Sequence, residues 1–161
     1  MERYISFVRT LSKLANVIAG ISICFMIGLT VLDVVLRGFR KPVPGTYELV
    51  AFSGALVIGL ALPYTSLGKG HVLVDFLILS FPSIVRKVFN IVTRLMGIGL
   101  FSVLGISLIM LALDLRRTGE VSLTLQLPFY PIAFALGLAS ILQCLVLLGQ
   151  IMLVIGGKYD E

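Results

Sequence analysis

The chain has 161 residues, of which 58% are hydrophobic and 13% charged, and its mean hydropathy is +1.09. Soluble domains carry roughly a quarter charged residues, and one of this size has too much surface for its volume to hide so many apolar side chains. Composition excludes an ordinary water-soluble fold and points to a single membrane domain over residues 1–161. The net charge is +5, but the basic residues fall at the ends of apolar runs, where membrane topology and anionic headgroups place them. The charge therefore speaks for a lipid bilayer as partner and against nucleic acid.

Crossing about 30 Å of hydrocarbon takes roughly 20 apolar residues in a helix, the default spanning element because it satisfies its own backbone. Residues 1–13 are basic, and the uncharged run that follows, Leu14–Leu32, exceeds the roughly 7–15 residues of a signal h-region. It predicts a retained first helix over about 14–36, with Asp33 and Arg37 at i, i+4 near its end. The segment Arg37-Gly-Phe-Arg-Lys-Pro-Val-Pro-Gly45 breaks that helix with two prolines and two glycines. A second uncharged run, Leu49–Gly68, predicts a helix over about 47–68. The next apolar stretch is short and interrupted by Pro82, which suits an interfacial helix over about 71–81 better than a span.

Arg86, Lys87 and Arg94 then lead into a third helix over about 86–113, followed by the polar connection Asp114–Glu120. The last uncharged run is too long for one helix. Pro128 and Pro131 suit the first turn of a fourth helix over about 128–155, where proline is tolerated, leaving residues 120–127 as an extended loop. With four spans, eight Lys/Arg lie on the side of both termini and five on the other, which favours cytoplasmic termini. Cys24 and Cys144 read as small hydrophobes within apolar runs.

Much chemistry is missing from this pattern. The lone histidine, His71, cannot supply a bis-histidine haem site or a Ser-His-Asp set, and no Gly-rich P-loop precedes a helix. The expectation is a chain without enzyme activity, cofactor or metal. Asp33 and Arg37 form either an interfacial ion pair or the start of a proton or cation relay. Glu48 opens the second helix, where it complements the helix dipole or contacts a partner subunit. His71 and Asp75 lie one turn apart and could share a hydrogen bond. Ala51, Ala55 and Gly59 form a small-residue stripe on which a partner helix could pack, within this chain or in another. Gly97, Gly99, Gly105, Ala133 and Gly137 offer similar faces.

Four spans in this length, the basic Pro-Gly loop, Gly-Thr-Tyr-Glu48, and Gly68-Lys-Gly-His-Val-Leu-Val-Asp75 before a short apolar segment together resemble the small membrane (Q) subunit of tripartite ATP-independent periplasmic (TRAP) transporters. The resemblance covers roughly Leu14 to Ile155. It implies two partners, a large membrane (M) subunit that carries the substrate and sodium sites and a periplasmic solute-binding protein that delivers an organic acid. The Q subunit in such a system is a non-catalytic brace in the cytoplasmic (inner) membrane. Arg37, Arg40, Lys41, Arg116 and Arg117 would then face the periplasm, for docking of the binding protein or for headgroup contact. Two rival readings are a self-sufficient proton-coupled exporter and an assembly subunit of another membrane complex.

Overall fold

A computed structural model of the chain describes residues 2–68 and 83–155, which form four long helices: α1 (Glu2–Gly38), α2 (Thr46–Leu67), α3 (Ser83–Thr118) and α4 (Tyr130–Ile155). Each contains a window long and apolar enough to cross a bilayer, so the fold is the all-α membrane bundle that the apolar runs indicate. The interfacial helix expected over about 71–81 lies outside the described residues.

The helix ends differ from the apolar runs in a physically simple way. α1 starts at Glu2 rather than near residue 14, and α3 runs from Ser83 to Thr118 rather than from 86 to 113. Apolar length marks only what lipid must cover, whereas Arg and Lys are good helix formers and let a helix continue into the headgroups. At 1.5 Å per residue α1 and α3 reach about 55 Å, well past the hydrocarbon thickness. Their N-terminal turns share one end of the bundle and interleave exposed Phe7, Leu11, Val88 and Phe89 with Arg3, Arg9 and Lys13.

At the opposite end, α4 begins at Tyr130, so Pro131 alone occupies its first turn. Pro128 instead pairs with Val121 in an isolated antiparallel bridge. The segment 120–129, expected to be extended, folds back on itself. The Ser122 amide donates to the Leu127 carbonyl at 2.9 Å and the Gln126 amide to the Ser122 carbonyl at 3.2 Å. An extended segment would leave these groups bare beside lipid, and closing them on one another removes that cost.

In space the helices follow the order α1, α2, α4, α3. Among the described residues α3 packs almost entirely on α4, and α1 touches α4 far less than α2 does, with Tyr4 near its N-terminus among the contacts. α4 is the centre: half of its apolar window is buried, against 11% for α1 and α3 and 17% for α2. Small residues make this seam possible. A Cβ on Gly137 would stand 2.8 Å from Ile109, and one on Gly105 would stand 3.3 Å from the Ser140 Cβ. Two backbones therefore approach closely where lipid gives no hydrophobic drive for helices to associate. The α1–α2 seam is built likewise, burying Val8, Ser12, Ala15 and Ala19 at the 3- and 4-residue spacing of one helix face.

The seam is testable. Gly137→Leu overpacks the α3–α4 contact and is expected to lower stability by about 1–3 kcal/mol, read as earlier thermal loss of the monodisperse peak in detergent. Gly99→Leu, whose added side chain starts in open space, is expected to leave that profile unchanged.

Candidate functional site

The loop end of the bundle is built from Asp33. α1 stops in a Schellman turn, with the Lys41 amide donating to the Leu36 carbonyl and the Arg40 amide to the Arg37 carbonyl, both at 3.0 Å. Arg40 takes the left-handed position (φ 58°) that glycine usually fills. Only 4% exposed, Asp33 accepts from Arg37 Nε at 2.7 Å and from the Val43 amide at 2.9 Å. It thereby fixes both the end of α1 and the turn into α2. Arg37 continues to Tyr47, donating to its hydroxyl at 3.4 Å with the guanidinium carbon 5.5 Å from the ring centroid. Both Asp33 oxygens are engaged in this turn.

α2 starts from Gly45 in the left-handed region (φ 76°), and a Cβ there would run into Leu125. Only glycine allows the turn and the close approach of the 120–129 loop together. The loop is held by Glu48. Its carboxylate accepts from Ser122 Oγ at 2.7 Å, the Thr124 amide at 2.7 Å and the Leu125 amide at 3.0 Å. Neither reading of Glu48 from sequence anticipates this: the side chain leaves its own helix end and latches a loop more than seventy positions away. Three donors converging on one carboxylate outcompete a contact with the diffuse helix dipole. The edge-to-face pair Phe52–Phe129, with centroids 5.4 Å apart, closes the loop from the apolar side.

Around this clamp, Arg37, Arg40, Lys41, Arg116 and Arg117 are all exposed and lie at the same end of the bundle. The small-residue stripe of α2 divides. Ala51 is exposed, Ala55 is half-buried, and Gly59 sits against Leu136 of α4 so closely that any side chain there would collide with it. That part of the stripe serves packing within the chain. His71 and Asp75 lie outside the described residues.

A second polar group, toward the other end, is absent from the reading of the sequence. Gln143 and Gln150, seven residues apart and on one face of α4, both turn to α2: Gln143 Nε2 donates to Ser66 Oγ at 2.7 Å, and Gln150 Nε2 donates to the Ser66 carbonyl. Arg94 Nε of α3 donates to Gln150 Oε1 at 3.1 Å, and Tyr4 Oη of α1 donates to the Leu145 carbonyl at 2.9 Å. Every helix is thus tied to α4 by a polar contact at this end. The usable signal was two glutamines one heptad apart in an uncharged run, since amides inside a span need partners on other helices.

Between α2 and α3, over α4, runs an apolar groove of about 280 Å³. Ala55 and Ile58 form one wall, Phe101 and Leu104 the other, and Ala139 and Gln143 the floor.

A family model described as tripartite ATP-independent periplasmic transporters, DctQ component, matches residues 26–156. The chain belongs to this family. The match starts inside α1 and runs to the end of α4, so it takes in both the Asp33–Glu48 clamp and the polar ties of α4. No curated protein and no solved structure matches the chain. As a DctQ component the protein is the small membrane subunit of a TRAP transporter, a multi-pass membrane protein of a transport system.

The clamp gives a direct expectation. Glu48→Ala leaves two loop amides and the Ser122 hydroxyl without their acceptor, so hydrogen exchange at Thr124 and Leu125 should accelerate at least about tenfold. Exchange in the middle of α4 should stay as in the wild type.

Proposed function

We propose that this DctQ component is the non-catalytic small permease subunit of a sodium-coupled importer of organic acids, of the dicarboxylate or sugar-acid class. In this reading it braces the large membrane subunit and contributes to docking of the periplasmic binding protein. The observation that carries the reading is how the polar groups are used. Asp33, Glu48, Ser66 and Gln150 are engaged with groups of this chain, and among the described residues no Asp, Glu, Lys, Arg or His stands at the middle of a span. A coupling site needs a carboxylate or an open polar cluster within the membrane. Solute and ion sites therefore fall to the large subunit, as the family's tripartite organisation implies.

The Lys/Arg bias supports cytoplasmic termini, and in that orientation the Asp33–Glu48 clamp lies at the periplasmic face of the inner membrane. There the clamp holds Arg40, Lys41, Arg116 and Arg117 at a fixed end of the bundle, while Arg37 is drawn onto Asp33 and Tyr47. A rigid basic surface at that face suits an acidic patch on the binding protein, steering encounter more than final affinity.

Three measurements test this reading. Affinity purification of the tagged chain from native membranes is expected to bring with it a much larger polytopic protein; proton-coupled efflux by the chain alone in vesicles would contradict the brace. Reversing two charges, Arg40→Glu with Lys41→Glu, is expected to raise the binding-protein concentration for half-maximal uptake by about three- to tenfold at low salt, with maximal uptake unchanged. Uptake unaffected at limiting binding protein would remove the docking role.

A further inference from the structure

The helices leave a concave apolar surface, the groove between α2 and α3. It exists because the order α1, α2, α4, α3 sets α2 and α3 on either side of α4 without packing them on each other. Its walls are exposed large side chains, Ile58 and Leu104, and its floor is small and polar, Ala139, Ser140 and Gln143. Along each of the three helices the lining extends over eight residues, Ala55–Leu62, Phe101–Leu108 and Leu136–Gln143. At 1.5 Å per residue that is about 10 Å, or two turns, near the middle of the spans.

Two acceptors distinguish this groove from a plain lipid-facing furrow. Gln143 is 3% exposed and its Oε1 has no hydrogen-bond partner among the described residues, although its Nε2 is bonded to Ser66. Gly59, also on the groove lining, precedes Pro63 by four positions. Proline has no N–H, so the Gly59 carbonyl lacks the donor that a helix normally supplies to it. Buried acceptors in hydrocarbon are costly unless a donor is brought to them. An acyl chain fills apolar volume but donates nothing. A helix with a donor side chain among small residues does both.

We infer that the groove between α2 and α3 seats a transmembrane helix of the large membrane subunit, crossing over Ala55 and Ala139 and bringing a hydrogen-bond donor to Gln143. This rests on the reading of the chain as a brace for that subunit and assigns it a place, a crossing point and a polar anchor. The partner helix carries small residues at the crossing and a Ser, Thr, Asn, Gln or Trp beside them.

The test uses the complete complex. A benzophenone amino acid is placed at Ile58 or Leu104 on the groove rims, and at Leu138 or Leu148 on the exposed opposite face of α4. Irradiation is expected to give adducts with the large subunit from the rim positions and none from the opposite face. If the large subunit co-purifies but the rim positions give adducts only with lipid or with a second copy of this chain, the inference is overturned while the brace reading stands. Failure of the large subunit to co-purify overturns both. The anchor is tested separately. Gln143→Leu is expected to lower the retained large subunit about three- to tenfold, the effect of one interhelical hydrogen bond in a membrane, whereas Ser66→Ala, which removes the internal partner but keeps the acceptor, is expected to retain it. Equal loss from both variants would reduce Gln143 to an internal packing residue.

Discussion

Helices in a bilayer gain nothing from hiding apolar side chains, because the lipid around them is as apolar as they are. What holds this bundle is close backbone approach combined with a few polar ties, and both are concentrated on α4. Gly105 and Gly137 let α3 approach α4, Gly59 lets Leu136 of α4 press into α2, and Gln143 with Gln150 fastens α4 to Ser66. α1 reaches the group through its own small-residue face on α2 and through Tyr4 on α4. Without α4, α3 would lose almost every contact it makes among the described residues.

The two polar clusters differ in kind. At the loop end, charged groups act locally: Asp33 shapes the turn between α1 and α2, and Glu48 pins the 120–129 segment over the start of α2. At the other end the ties run through the neutral amides of Gln143 and Gln150 and the Ser66 and Tyr4 hydroxyls, which carry much less desolvation cost than ions do, with Arg94 the one charged partner among them. Among the described residues the buried polar side chains bond mostly within the chain, with the Ser12 hydroxyl and the Gln143 oxygen left over.

Much of the architecture could be read from the order of residues. Uncharged runs such as Leu14–Leu32 and Leu49–Gly68 locate spans because burying charge in hydrocarbon is prohibitive, and Gly-Thr-Tyr-Glu48 together with the Gly68–Asp75 segment pointed to the family. Helix extent was less legible, since Arg3, Arg9 and Lys13 end an apolar run without ending a helix. The central role of α4 was hidden for a different reason: its apolar window has the same hydropathy, 2.3, as those of α1 and α3, and hydropathy does not separate a side chain facing lipid from one facing another helix. The Glu48 latch was beyond local reasoning, because its donors at Ser122, Thr124 and Leu125 are brought near only after α2, α3 and α4 have assembled. The Gln143 and Gln150 ties were overlooked because amides do not interrupt an uncharged run, although their heptad spacing in α4 was visible.

The central claim is that this subunit is a brace organised around α4, with no solute site of its own. A density map of the subunit bound to its large membrane partner during solute transport tests it most directly. The account predicts helices in the order α1, α2, α4, α3, with α4 packed against the other three and transported solute bound entirely outside this chain. Solute density enclosed by α1–α4 alone, or a partner helix inserted between α3 and α4, would contradict it.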